Sequence, residues 1–281
     1  KTLYSNTTGS YNTAISHKAL YTNIGGSMNV GIGYQPLYYN TEGDYNIAVG
    51  SYALMGNTTG SDNTAVGYQA LTANTTGTAN VAIGKDALLA NTTGFDNTAV
   101  GDDAGNAVTT GANNILIGHD AGITGSPGGA ITTASNILSL GDENIATANI
   151  QVDWTIASDK RDKTDVEELS MGLDFVNKLE PVTYRWDKRS KYSDDQSVSP
   201  DGTHKEEQLD IGFLAQDVEK LEEEYGYKVD DKTNLTTTLS GDEKMYGLKY
   251  SKFVPILVNA VQELSAQVDK LTAELSAIKG A

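Results

Sequence analysis

The chain contains no cysteine, so no disulfide staples it and packing, hydrogen bonding or association with other chains must hold it together. That absence leaves the compartment open, because extracellular fibres dispense with bridges when association supplies buried area. No uninterrupted apolar run reaches the roughly 18 residues of a membrane-crossing helix, so membrane insertion by that route is not expected. Basic residues are few: 20 Lys and Arg stand against 37 Asp and Glu, for a formal net charge of -17. The excess is shared, -8 up to Ala157 and -9 beyond it. Binding to nucleic-acid phosphates, which needs clustered Lys and Arg, is set aside on that balance. The three histidines, His17, His119 and His204, form neither a metal-ligand cluster nor a triad by their spacing, so no metal and no cofactor is expected. Lys1 has no Met before it, which is the expectation for a fragment of something longer.

Charge is also unevenly placed. Residues 1–157 carry 14 charged side chains and residues 158–281 carry 43, although the second stretch is the shorter. The change falls at Ser158-Asp159-Lys160-Arg161-Asp162-Lys163-Thr164, where a low-charge Asn/Thr/Gly sequence stops, and it marks a domain boundary.

The first part is a repeat. Gly9, Gly26, Gly43, Gly60, Gly77, Gly94 and Gly111 are spaced by 17 residues, and an Asn follows each three positions later, from Asn12 to Asn114. Each unit reads Asn, any residue, a small residue, Ile or Val, then Gly, as in Asn63-Thr64-Ala65-Val66-Gly67, and continues through a bend to an Asn-Thr-Thr-Gly turn. One short strand, a bend and a turn per unit suit a coil of a parallel β-solenoid. Stacking places Ile15, Ile32, Val49, Val66, Ile83, Val100 and Ile117 in one apolar column and Leu20, Leu37, Leu54, Leu71 and Leu88 in another, with the Asn residues as a hydrogen-bonded ladder. Two thin columns are a poor core for ordering 17 residues per coil, so they are expected to be shared between chains. Asn6, Asn57, Asn74 and Asn91 match the glycosylation acceptor pattern, but the same residues are what a solenoid turn needs, and the turn reading is preferred.

These units resemble the head repeats of trimeric surface adhesins and of phage tail fibres over residues 1–122. The resemblance implies a left-handed parallel β-roll or triple β-helix, with three chains around one axis. Residues 123–157, with the loop Gly125-Ser126-Pro127-Gly128-Gly129 and short strands expected from Ile137 to Ile156, read as a β neck.

Beyond the boundary the sequence reads as a small α+β domain, residues 158–281. Thr164-Asp165-Val166-Glu167 is a capping box, with Val166, Leu169, Leu173, Val176 and Leu179 at helical spacing until Pro181. Val182 to Trp186 and Ile211 to Leu214 read as strands, Ala215 to Tyr225 as an acidic helix, and Asp187 to Gln208 as a mobile polar loop in which Asp194, Asp195 and Asp201 lack calcium-loop spacing. Leu257, Val261, Leu264, Val268, Leu271, Leu275 and Ile278 are separated by steps of four and three, a heptad seam that predicts a coiled coil over 251–281; three strands match the threefold shaft.

At the boundary a serine could become a nucleophile if an amine removed its proton, and Ser158 and Lys163 are such a pair, provided the chain turns between them, with Lys160 and Arg161 as sources of positive field. The spacing alone carries little. However, Ser158 to Lys163, Leu179-Glu180-Pro181-Val182-Thr183-Tyr184, Gly212 to Glu219 and Tyr250 to Leu264 together resemble, in order, the C-terminal intramolecular chaperone of endosialidase-type phage tailspikes. That resemblance implies a trimeric folding chaperone that cuts itself off through a Ser-Lys dyad. Ser158 is then the nucleophile, Lys163 the general base and Ala157-Ser158 the scissile bond, with Asp159 and Gln216 in supporting positions of no assigned role. Nothing resembles a sugar-cleaving domain, so the only enzymatic activity expected is a single-turnover self-cleavage.

The expected protein is the distal part of a homotrimeric tail fibre or surface adhesin, on a virion or a cell surface, fused to a removable chaperone. The competing reading is a surface adhesin with a non-cleaving trimer anchor; a release module attached to a DNA-binding protein is disfavoured by the acidic repeats. The partner expected is a cell-surface glycan or protein, and Tyr34, Tyr52 and Tyr68, read as exposed and at equivalent repeat positions, are candidate sugar-stacking residues, beside the plainer reading of an outward row.

Overall fold

The computed structural model describes residues 1–126, 128–145, 147–151, 155–193, 197–240 and 245–279. Two compact units are present. The first comprises the described residues of Lys1–Ala148, Arg189–Ser199 and Ser240–Met245, and the second those of Asn149–Lys188, Pro200–Leu239 and Tyr246–Ala281.

The first unit is mainly a parallel β-solenoid. Its strands are β1 (Thr13–Ile15), β2 (Val30–Ile32), β3 (Ile47–Val49), β4 (Thr64–Val66), β5 (Val81–Ile83), β6 (Thr98–Val100), β7 (Ile115–Ile117) and β8 (Leu138–Leu140). They form one sheet in sequence order, each pairing in parallel with the next. Equivalent repeat positions are register partners, as in Ala65 with Ala82 and Val66 with Ile83. The sheet runs past residue 122: β8, in the stretch read as neck, is its eighth rung, and the described residues of 141–157 hold no strand.

Strand geometry decides which residues face inward. Alternate residues point to opposite faces, and the middle residues of β3 to β7, Ala48, Ala65, Ala82, Ala99 and Leu116, are fully buried, whereas Ala14 in β1 is half-buried. The flanking β-branched residues therefore point outward: Ile15, Val66, Ile83 and Ile117 are 36 to 54 % exposed. The expected leucine column is fully buried from Leu20 to Leu88 and packs on the alanines. Each of these leucines adopts a left-handed backbone, for example Leu71 at φ 54, a conformation the burial of the side chain holds in place. The glycine that follows each of β2 to β6 is required by the next coil: Gly67 sits at φ 140, and a Cβ there would run into the carbonyl oxygen of Gly84.

Two asparagine ladders run along the unit, not one. In the expected ladder, Asn63 Nδ2 donates to Asn46 Oδ1 at 3.1 Å and to Gly77 O at 2.9 Å, while its backbone N–H donates to the same Oδ1. In the second, Asn74 Nδ2 donates to Asn57 Oδ1 at 2.8 Å and also to Gly77 O, at 3.0 Å. Asn57, Asn74 and Asn91 are fully buried with their amide nitrogens engaged, which supports the turn reading of these acceptor-like sites. The second ladder ends at Asn91, whose Oδ1 has no hydrogen-bond partner among the described residues because the next rung offers Val108 instead of Asn.

The second unit is α+β. It contains α1 (Leu173–Lys178), β9 (Val182–Tyr184), β10 (Asp210–Gly212), α2 (Ala215–Glu224), β11 (Thr237–Leu239), β12 (Tyr246–Leu248) and α3 (Phe253–Lys279). β9 and β10 pair antiparallel, as do β11 and β12. Met171, Phe175, Val218, Leu221, Phe253 and Ile256 form the core. Of the polar stretch read as a loop, the described residues hold the short 3-10 turn Arg189–Lys191 and no strand or longer helix; Asp194 and Asp195 lie outside the described residues.

One expectation fails here. The capping box at Thr164 starts no helix; α1 begins only at Leu173. Asp165 is left-handed at φ 49. Downstream, Asn259 Nδ2 donates to the carbonyls of Leu169 (3.2 Å) and Met171 (3.0 Å), and Glu263 accepts from the Leu173 N–H at 2.8 Å. Side chains of α3 thus take backbone groups that a longer helix would have paired internally.

Only the start of α3 enters the core, through Phe253, Ile256 and Ala260. The heptad residues Leu257, Val261, Leu264, Val268, Leu271, Leu275 and Ile278 are all exposed, from 47 to 74 %.

Candidate functional site

The residues singled out at the charge boundary lie on one tight turn. Lys160–Asp162 form a 3-10 turn capped by Asp159, whose side chain accepts from the Arg161 N–H. The chain enters extended at Asp159 (φ -68, ψ 132) and leaves extended at Lys163 (φ -120, ψ 136). This fold-back lets side chains five residues apart meet: Lys163 Nζ donates to Ser158 Oγ at 2.6 Å. A hydroxyl within hydrogen-bond reach of an amine is the arrangement in which the amine can take the hydroxyl proton. Ala157, whose carbonyl precedes Ser158, is exposed, and so is every residue of the turn.

Among the described residues, the Asp159 side chain makes no hydrogen bond to Ser158 Oγ or Lys163 Nζ. Its carboxylate grips Arg161, accepting from Nε at 3.0 Å and from Nη2 at 2.6 Å. These bonds hold the Asp159 carboxyl below the usual carboxylate range. Arg161, expected to lend a positive field to Lys163, is instead ion-paired. Gln216 is exposed near the start of α2, and among the described residues no hydrogen bond joins it to Ser158 or Lys163. The segments around Leu179 and Leu214 do come together, lining a shallow groove of about 400 Å³ with Lys178, Phe213, Asp217 and Leu221.

A buried carboxylate in this unit was not legible from the sequence. Glu222 on α2 is fully buried and accepts from the N–H of Thr236 at 2.6 Å, the hydroxyl of Thr236 at 2.8 Å, the N–H of Leu235 and Thr237 at 3.2 Å each, and the Thr237 hydroxyl. It ties α2 to the start of β11 and faces no reacting group.

In the solenoid unit the aromatic rows face one another. His17 stacks on Tyr34 at 4.9 Å, and Tyr34, Tyr52 and Tyr68 follow edge to face at 5.3 and 6.1 Å. Tyr34 and Tyr68 share a column with Ser51, whereas Tyr52 belongs to the adjoining column of Gln35 and Gln69. Ring faces needed for sugar stacking are thus partly taken by neighbouring rings. His119, placed in no metal-ligand cluster by its spacing, in fact stands 3.2 Å from Asp120 and 3.6 Å from Asp142, a group whose ligand atoms lie close enough together to hold a metal ion.

No curated protein and no solved structure matches the chain. A family model does match: residues 158–227, which begin at Ser158 and take in the turn, α1, the β9–β10 pair and α2, fit the family described as the chaperone of endosialidase, one associated with self-cleaving peptidase activity.

Proposed function

We propose that this chain is the distal part of a homotrimeric tail fibre or surface adhesin, and that its C-terminal domain drives trimer folding and then cuts itself free between Ala157 and Ser158. The observation that carries the reading is the 2.6 Å contact of Lys163 Nζ with Ser158 Oγ at the first residue of the family match.

The chemistry follows from the atoms. Ser158 Oγ attacks the Ala157 carbonyl carbon while Lys163 Nζ, in its neutral form, accepts the hydroxyl proton. The C–N bond then breaks, the proton is returned to the leaving Ser158 nitrogen, and an ester joins Ala157 to Ser158 Oγ. Water hydrolyses that ester, leaving a carboxylate on Ala157 and free amine and hydroxyl groups on Ser158. Each chain turns over once. Desolvation favours a neutral amine, and among the described residues nothing covers Lys163, so the cover comes from assembled copies and cutting follows trimer formation.

Two exposed apolar surfaces support assembly. The heptad stripe of α3 and the outward β-branched columns of the solenoid have no partner among the described residues. Three chains stacking near-identical coils face a register problem, since a slip of one repeat forfeits little. A C-terminal domain that associates first aligns the chains and raises their local concentration. Cleavage then removes the route back, leaving a kinetically trapped fibre. On this reading the shaft displays or spaces a site for a cell-surface glycan or protein on a virion or cell surface and carries no small-molecule chemistry. Gel analysis of the purified chain tests the proposal: two fragments for the natural sequence and a single chain of about 30 kDa for Ser158→Ala and for Lys163→Ala. A single chain in all three leaves a non-cleaving trimer anchor.

A further inference from the structure

Ser158 and Lys163 are five positions apart, and something must hold the chain folded back between them. Building on the self-cleavage reading above, we propose that Asp159 and Arg161 form the clamp that shapes this turn, which makes them positioning residues for the dyad. Four hydrogen bonds converge on the Asp159 carboxylate: Oδ1 accepts from the Arg161 backbone N–H at 2.9 Å and from Nε at 3.0 Å, and Oδ2 from Nε at 3.1 Å and Nη2 at 2.6 Å. The backbone bond caps the turn, and the forked side-chain pair fixes the guanidinium against the carboxylate, a geometry that arginine offers and lysine does not. Beneath it, the Asp162 N–H donates to Asp159 O at 3.2 Å and the Lys163 N–H to Lys160 O at 3.3 Å, so the tightening passes directly to the residue that carries the base.

Packing cannot do this work, because no residue from Ala157 to Lys163 is buried. Neither clamp side chain hydrogen-bonds to Ser158 Oγ or Lys163 Nζ among the described residues, so their effect passes through the backbone. Because Arg161 holds the Asp159 carboxyl below its usual range, the clamp is intact at neutral pH and is lost only as pH falls through that lowered value.

The test follows cutting of the full chain over time and across pH in the natural sequence and in Asp159→Ala, Asp159→Asn, Arg161→Ala and Ser158→Ala, with light scattering as a control for assembly. Loss of the clamp by either alanine change is expected to slow cutting by at least about tenfold, since small misplacements of reacting groups are costly in rate. Asp159→Asn retains an oxygen for the cap and loses the charge pair, so its rate should fall in between. The midpoint of the pH profile should not move in any of them, because the clamp transfers no proton. Natural-sequence rates in both alanine variants would overturn the clamp while leaving the dyad in place. A shifted midpoint in Asp159→Ala would also overturn it, by showing that Asp159 acts on the amine directly. Cutting by Ser158→Ala, or none by the natural sequence, would instead remove the dyad reading on which the clamp rests.

Discussion

The two units of this chain reach order by different physical routes. In the solenoid, most coils repeat a buried alanine, a buried leucine and paired asparagines, and the ladder bonds recur at 17-residue steps, as from Asn46 to Asn63 and from Asn63 to Asn80. Order there is local and additive, as in other repeat architectures. Among its described residues, the C-terminal unit has one small core around Phe175 and Phe253, a single buried carboxylate at Glu222, and a helix whose later turns present an uncovered apolar stripe. A unit with few contacts of its own and a large uncovered stripe is suited to association, whereas a unit of interchangeable coils is suited to length and poorly suited to choosing its register. The division of labour proposed here follows from that contrast.

The comparison breaks most completely if the stripe is removed. Leu264→Asp with Leu271→Asp should abolish soluble trimer, leaving misfolded or aggregated chains on light scattering, because burying charge in successive helix layers costs more than a domain's net stability. A soluble trimer with an intact solenoid would take the folding role away from α3. In the shaft the largest single-residue effect should come from Leu71→Ala, which opens a cavity beside Ala65 and Ala82. A loss of about 2–5 kcal/mol is expected in denaturant unfolding of the assembled protein. Asn63→Ala should cost less, about 1–3 kcal/mol, because it removes the Oδ1 that accepts from the buried N–H and Nδ2 of Asn80. Asn74→Ala should match it, and equal losses would establish that the two ladders contribute alike. The smallest effect is expected from Thr164→Ala: since no helix begins there, its stability change should stay within about 0.5 kcal/mol. A loss near that of a true helix cap would restore the helix that the capping box suggested.

How legible this was in the sequence depended on whether the governing interactions were periodic. The 17-residue spacing exposed the solenoid, the leucine column and the ladder beginning at Asn12. The ladder beginning at Asn6 was hidden because its residues also satisfy a turn, and a turn explains them without stacking. The β-branched column was legible, but its direction was not: only the alternation of a three-residue strand shows that alanine fills the narrow interior while Ile and Val face out. Thr164 misled because the carbonyls after it are taken by Asn259, 90 residues from Leu169, a contact no local pattern contains. The site shows the same divide. Ser158 and Lys163 stood out through resemblance to a known domain, since a spacing of five carries no geometry of its own. The Asp159 to Arg161 pairing, two residues apart, became readable only once the turn put both side chains on one side of the chain.

The central claim is that a turn-borne Ser-Lys pair cuts the chain at one bond. N-terminal sequencing of the smaller fragment released by the natural-sequence protein tests it most directly. The account predicts a fragment beginning at Ser158, absent from both Ser158→Ala and Lys163→Ala, and formed more slowly as pH falls because a neutral amine is required. A fragment beginning at any other residue, or cutting that persists in both alanine variants, would contradict it.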